Sequence, residues 1–156
     1  MIRTVHPRLL FRDVQFNIAL FLGPLFWAGW FCLNQPVLKL SRAIIYPGKF
    51  LLLAAIFPVL EEFVFRGWLQ ETFSRITKGA MFVYALSVSN ILTSVIFGFS
   101  HMFFHSAFWS CFVAVPSLIF GYFKERHNNL FPCIILHIFY NSGYYLLFND
   151  FAVSDM

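Results

Sequence analysis

Three short groups of polar residues stand out in this sequence, because each is of a type that does chemistry and each lies in an apolar segment. They are Glu61-Glu62-Phe-Val-Phe-Arg66, Phe97-Gly-Phe-Ser-His101 and His137-Ile-Phe-Tyr-Asn141. A carboxylate and a histidine can together activate a water molecule. Two neutral hydrogen-bond donors can stabilise a developing oxyanion, as acyl transfer requires. The three groups together therefore predict a hydrolase.

The first group supplies two carboxylates with different surroundings. Glu62 and Arg66 are four residues apart, so on a helix they share one face and can form an ion pair. Glu61 is rotated by about 100° from Glu62 around the helix axis and points elsewhere. One carboxylate is then neutralised and held, while the other stays available as a base. The alternative is an ordinary helix end at a membrane surface, where these charges are simply solvated.

The histidines also admit simpler interpretations. His101 and His105 are four residues apart, a spacing that can hold a metal, but two histidines without a third ligand make a weak metal pattern. Either one can instead be a polar residue at a turn between two helices. His137 and Asn141 share one helical face, and such residues often form hydrogen bonds between membrane helices. It is the occurrence of all three groups together that favours a catalytic role.

The elements that must position these groups are membrane-spanning helices. The chain has 156 residues, which argues for a single domain over 1–156. Hydrophobic residues make up 60% and charged residues 12%, whereas a typical soluble domain has roughly 45–50% and about 25%. A soluble globule of this size cannot bury so much apolar surface, so the composition excludes that class. The predicted fold class is all-α, a polytopic transmembrane helix bundle.

Five spans are predicted from the apolar runs. They lie at about 16–33, 50–69, 85–104, 107–123 and 130–149. A helix rises by ~1.5 Å per residue. If the third span began at Met81, where its uncharged run starts, His101 would lie much further across the membrane than Glu61. The two depths match only if that helix enters the bilayer nearer residue 89, which the polar residues from Ser87 to Asn90 favour. The chain just before it would then lie partly along the membrane interface.

The basic residues predict an orientation. With five spans, the N-terminal side of the membrane carries seven basic residues and the other side carries three. The seven are Arg3, Arg8, Arg12, Arg75, Lys78, Lys124 and Arg126, and the three are Lys39, Arg42 and Lys49. The positive-inside rule then places the N-terminus in the cytoplasm. Because the basic residues are dispersed and form no stripe, no nucleic-acid partner is expected.

The cysteines carry no pattern of their own. Cys32, Cys111 and Cys133 are odd in number and widely spaced, which predicts neither a disulfide framework nor a zinc ribbon. We expect them to be small residues of the core.

The order of the three groups resembles the CPBP family of intramembrane proteases, also called the Abi or CAAX-protease family, which includes the type II CAAX prenyl endopeptidase. The family pattern is Glu-Glu-x-x-x-Arg, then Phe-x-x-x-His, then His-x-x-x-Asn, and Gly67 after Arg66 also fits it. The resemblance covers roughly 50–149. It implies an intramembrane endopeptidase that cleaves a membrane-anchored or lipidated polypeptide. The short chain is similar to minimal members that are paired with C-terminal sorting signals, which implies a bacterial cytoplasmic membrane.

The resemblance also implies roles for the first two groups. Glu61 would activate the attacking water, helped by His101. Glu62 and Arg66 would form the supporting pair that fixes their helix.

The third group would form the oxyanion hole, from His137 and Asn141. The family relatives are similar to glutamate-type enzymes that need no metal, so no cofactor is expected. A zinc ion bound by Glu61, His101 and His137 is the alternative. The common face of His137 and Asn141 favours the metal-free interpretation, because it suits an oxyanion.

Two other classes of protein remain as alternatives. A haem-binding membrane protein could use His101 and His137 as axial ligands, but it leaves the carboxylate group unexplained. A non-catalytic immunity or scaffold protein could have the same fold, since a fold does not guarantee chemistry. A Glu61→Gln variant discriminates, because it should stop a protease and leave a scaffold working.

Overall fold

The computed structural model describes residues 10–34, 36, 44–103 and 106–148, and most of them are helical. The α-helices are α1 Val14–Asn34, α2 Pro47–Leu51, α3 Phe57–Glu62, α4 Gln70–Ile76, α5 Val88–His101, α6 Ala107–His127 and α7 Phe131–Leu147. Two π-helices, π1 Leu52–Ile56 and π2 Phe63–Leu69, and two strands, β1 Met81–Val83 and β2 Leu86–Ser87, lie between them. The predicted helical membrane fold is confirmed, with a small β-hairpin added.

The predicted spans correspond to observed helices. Among the described residues, α1 and α6 are each 21 residues long and apolar enough to cross a membrane. The spans at 16–33 and 107–123 lie within them, and the span at 130–149 corresponds to α7. The span at 85–104 differs, because α5 is only 14 residues long and begins at Val88. Its start is delayed since the preceding residues form the hairpin.

The predicted span at 50–69 lies in a helical run that continues without interruption from Pro47 to Ile76. Pro47 begins this run, where its missing N–H costs nothing. Pro58 cannot bond back to the carbonyl of Ala54, and its ring crowds that carbonyl. Ala54 lies within π1, so the proline accounts for the widened turn there. The second widened turn, π2, lies directly after the paired glutamates.

The hairpin fixes where α5 begins. Lys78 and Gly79 have positive φ angles of 52° and 69°, which ends the preceding helix and turns the chain. In the antiparallel pair, Met81 lies opposite Ser87. The Ser87 hydroxyl accepts a hydrogen bond from the backbone N–H of Asn90 at 3.0 Å, so this serine caps α5. The late start predicted from the polar residues is therefore observed.

The described chain groups into two compact units. The first contains Glu61–Ile134. Within it, α5 and α6 pack closely at Gly98, where an added Cβ would lie 3.0 Å from the carbonyl oxygen of Ser110. Its interior holds Phe97, Phe120 and a set of buried polar side chains.

The second unit contains the described residues up to Leu60 and those from Ile135 onward. Within it, α1 packs against α7: the Tyr140 hydroxyl donates to the carbonyl of Ala19 at 2.6 Å. The Trp27 ring lies where a Cβ on Gly143 would be, so this helix contact requires glycine. The single domain expected from chain length stays a prediction.

Candidate active site

The first polar group forms the predicted ion pair. Glu62 and Arg66 are both completely buried, and Nε of Arg66 lies 3.5 Å from Oε2 of Glu62. Glu61 is partly exposed, so the two neighbouring carboxylates do have different surroundings. The thiol of the buried Cys133 donates to the carbonyl of Leu130 at 2.9 Å. Burial of both charges excludes the interpretation of this group as a solvated helix end.

Arg66 makes further contacts that its spacing in the sequence does not predict. Its Nη2 donates to the hydroxyl of Ser117 at 2.7 Å and to the carbonyl oxygen of Ser117 at 2.9 Å. Its Cζ lies 5.1 Å from the centre of the Phe97 ring, within the range of a cation–π contact. The arginine of the first group therefore contacts the phenylalanine of the second.

The second group is organised around Phe97. Nδ1 of His101 lies 2.8 Å from the backbone oxygen of Phe97. A carbonyl oxygen can only accept, so in the neutral ring Nδ1 carries the proton and Nε2 carries the lone pair. The Phe97 ring lies 4.6 Å from the His101 ring and 4.8 Å from that of Phe65. Phe97 thus lies between Arg66 and His101. His105, the other histidine of interest, lies outside the described residues.

The third group lies in the second unit. His137 is buried and Asn141 is half-buried, one turn further along α7. Nδ2 of Asn141 donates to the carbonyl of Leu53 at 3.3 Å. This hydrogen bond is of the kind expected if the residue joins membrane helices. It uses one of the two amide N–H groups.

Polar residues that sequence reasoning did not identify as part of a site gather at the other end of α5. Oε1 of Glu125 accepts hydrogen bonds from Gln70, Ser87 and Ser89 at 2.8, 2.6 and 3.1 Å. The Asn90 amide donates to the carbonyl of Leu118 at 3.0 Å. Ser87, Asn90 and Ser94 recur at helical spacing within the uncharged run, and this pattern could have identified α5 as a helix with a polar inner face.

Lys124 and Glu71 form an ion pair near this cluster, with Nζ 2.6 Å from Oε2. The Lys124 ammonium holds the pKa of the Glu71 carboxyl below its usual range. Because the Glu71 side chain is 42% exposed, this pair contributes little to stability.

The cysteines correct one expectation. Only Cys133 is a core residue, whereas Cys32 and Cys111 are exposed on the outer faces of α1 and α6. In membrane helices the outer face is apolar, so a small apolar residue is tolerated there. Among the described residues, no three His, Cys, Asp or Glu side chains are grouped to hold a metal. The zinc site drawn from Glu61, His101 and His137 stays a prediction.

Comparison with known proteins identifies the family. The fold is that of a helical membrane protein, and the matching family indicates a membrane-embedded hydrolase. The chain belongs to the family described as Type II CAAX prenyl endopeptidase Rce1-like, whose model it matches over residues 43–143. All three polar groups lie in that range, and the resemblance inferred from their order is confirmed. No curated protein and no solved structure matches the chain.

Proposed function

We propose that this protein is an intramembrane endopeptidase in which Glu61 activates the water that attacks the scissile carbonyl. The observation that carries the proposal is the buried ion pair of Glu62 and Arg66, in a chain that belongs to a CAAX endopeptidase family. This pair neutralises one of the two adjacent carboxylates. Arg66 also contacts Phe97, which belongs to the same motif as His101. The partly exposed Glu61 is then the carboxylate that reaches water and substrate.

The reaction follows from the groups present. Glu61 takes a proton from water, and the hydroxide forms a C–O bond to the substrate carbonyl carbon. His101 assists through Nε2, which carries the lone pair while Nδ1 is held by the Phe97 carbonyl. The tetrahedral intermediate collapses when the C–N bond breaks. The proton held by Glu61 then passes to the departing amine.

The oxyanion of that intermediate is assigned to His137 and Asn141. Asn141 donates one amide N–H to the carbonyl of Leu53. Its second N–H is the donor proposed for the oxyanion. His137 would donate a ring N–H. This assignment rests on the motif and on the chemistry of the two donors, which act where negative charge develops.

The proposed enzyme is of the glutamic type, with no metal cofactor. The common face of His137 and Asn141 supports this choice because it suits an oxyanion. A zinc enzyme using Glu61, His101 and His137 is the alternative, and it would lose activity on treatment with 1,10-phenanthroline and regain it with Zn²⁺. The glutamic-type enzyme would be insensitive to the chelator.

The proposed substrate is a membrane-anchored polypeptide cut near the membrane surface. The family's name refers to prenylated CAAX tails, and a prenylated tail is the first candidate. A C-terminal sorting tail or a bacteriocin-type leader would satisfy the same chemistry. We further propose a bacterial cytoplasmic membrane as the location.

The test compares protein termini in membranes from cells that carry the wild type, Glu61→Gln or Glu71→Gln. Glu71 is a matched control, because it lies on the same helical run but outside the polar groups. A terminus found with the wild type and with Glu71→Gln, and absent with Glu61→Gln, would support the proposal and identify the substrate.

Identical termini in all three membranes, with equal amounts of inserted protein, would overturn the proposal in favour of a scaffold. An absorption spectrum of the purified protein would then test the haem interpretation, since a b-type haem gives a strong Soret band.

A further inference from the structure

We propose that Ser117 is a positioning residue for the reaction: it fixes Arg66, and through Arg66 it orients both Glu62 and Phe97. This inference rests on the proposed function. It assigns a role to α6, a helix of the first unit that carries none of the three polar groups.

The contacts form a continuous chain from α6 to the proposed catalytic groups. One nitrogen of Arg66, Nη2, donates to both oxygens of Ser117, at 2.7 Å to the hydroxyl and 2.9 Å to the carbonyl. The Nε of the same guanidinium faces Glu62 at 3.5 Å. Its face lies on the ring of Phe97, whose carbonyl holds Nδ1 of His101.

Burial makes the serine hydroxyl important. Arg66 and Ser117 are both fully buried, so water cannot replace the hydroxyl as an acceptor. A guanidinium is planar and its N–H groups point in fixed directions. Anchoring Nη2 therefore sets the orientation of Nε toward Glu62 and of the guanidinium face toward Phe97. Without the hydroxyl, Nη2 would bond only to the carbonyl of Ser117, and the plane of the guanidinium group would be less constrained.

The chain offers a matched control on the same helix. Ser110 is also buried, but its hydroxyl donates to the carbonyl of Ser106 at 3.0 Å within the local turn. Ser110→Ala and Ser117→Ala thus remove the same atom from buried positions of one helix. Only the second removes a contact with Arg66.

The first measurement detects the contact itself. The protein is labelled with ¹⁵N in the arginine guanidinium groups and reconstituted in lipid nanodiscs, and Arg66→Lys assigns the Arg66 signals. We expect Ser117→Ala to shift the Arg66 Nη signals and Ser110→Ala to leave them unchanged. If the alanine variant does not fold, Ser117→Cys replaces it, because a thiol is of similar size and a weak acceptor.

The second measurement is turnover of a synthetic peptide that spans the terminus produced by the wild type. We expect Ser117→Ala to lower kcat by about 10- to 100-fold with KM unchanged, because misplacement of groups near the chemistry affects the transition state more than substrate binding. Ser110→Ala should retain the wild-type kcat. A merely structural role of Ser117 would lower the thermal stability of Ser117→Ala without this separation of kcat from KM.

The outcomes separate the two proposals. An unchanged Arg66 signal, or an unchanged kcat, in Ser117→Ala would overturn the positioning role while leaving the protease intact. The absence of any terminus that depends on Glu61 would overturn the proposed function, and this result is read from the wild type and Glu61→Gln without reference to Ser117.

Discussion

At the residue scale, Arg66 combines a full positive charge with complete burial. Its neighbours are an anion, an aromatic face and two oxygens of one serine. Desolvating two charges costs several kcal/mol per ion, and only close partners offset that cost. A pair of this kind does little for stability compared with apolar side chains of the same size. Its presence in an apolar helix therefore adds little stability, and it agrees with the role that we propose for the pair in the site.

The ion pair predicts a strong asymmetry between single and double substitutions. Arg66→Met leaves Glu62 as a buried charge without its cation, so we expect the free energy of unfolding to fall by about 3–5 kcal/mol. The double variant Glu62→Gln/Arg66→Met should lose less than Arg66→Met alone, because no uncompensated charge remains. Reversible unfolding in mixed detergent micelles measures both.

Glu71→Gln provides the comparison for that experiment. It removes a half-exposed ion pair with Lys124, for which we expect a loss of only about 0–1 kcal/mol. If Arg66→Met and Glu71→Gln lowered the free energy of unfolding equally, the result would contradict a buried ion pair between Glu62 and Arg66.

At the element scale, the hairpin and the two π-helices are the elements that could not be predicted from the sequence. Met81–Val83 belongs to a long uncharged run, and such a run resembles a helix as much as a strand until its neighbours are known. The widened turn at π2 has no proline to reveal it. By contrast, the start of α5 could be predicted, because Ser87 is a local capping residue.

The same distinction applies to the candidate site. The pairing of Glu62 with Arg66 could be predicted because it depends on spacing within one helix. The contacts of Arg66 with Ser117 and of Asn141 with Leu53 could not, because each joins residues more than 50 positions apart. Only the packing of helices decides which carbonyl or hydroxyl faces a given side chain.

The hairpin makes a prediction about depth in the membrane. Its residues Phe82 and Tyr84 are exposed, Tyr84 completely. The unpaired backbone groups of a two-stranded hairpin cannot lie in hydrocarbon, and aromatic residues favour the headgroup region. We therefore expect a spin label on Tyr84→Cys to report headgroup depth by electron paramagnetic resonance with oxygen and nickel relaxation agents.

The matched position is Phe21 in the middle of α1, which is also exposed. A label on Phe21→Cys should lie deep in the hydrocarbon. Both variants are made after the exposed Cys32 and Cys111 have been replaced. Equal depths for the two labels would show that the hairpin does not lie at the interface.

At the scale of the whole molecule, the described residues expose many large apolar side chains and bury many polar ones beside a small apolar core. Large apolar side chains are exposed, including Phe63 and Phe108, while Glu62, Gln70 and Asn90 are buried. In water this distribution would be unfavourable. In a bilayer it is the expected one, because lipid solvates the apolar surface and the interior satisfies the polar groups.

The orientation predicted from the basic residues is testable on intact cells. The positive-inside rule places Lys78 in the cytoplasm and Lys49 outside. We therefore expect a membrane-impermeant maleimide to label Lys49→Cys and not Lys78→Cys, with both labelled after the cells are broken open. Labelling of Lys78→Cys in intact cells would reverse the assignment.

The widened turn of π2 has a consequence for how this sequence can change in length. In π2 the N–H of Gln70 bonds to the carbonyl of Phe65, five residues back instead of four. Deleting one residue between Glu62 and Gln70 would restore the ordinary helical period. The part of the helix after the deletion would then be rotated by about 100° around the helix axis relative to the part before it. Arg66 could then no longer face Ser117 while Gln70 faces Glu125. Substitutions in this segment can be tolerated one by one, but insertions and deletions should be rare among functional descendants.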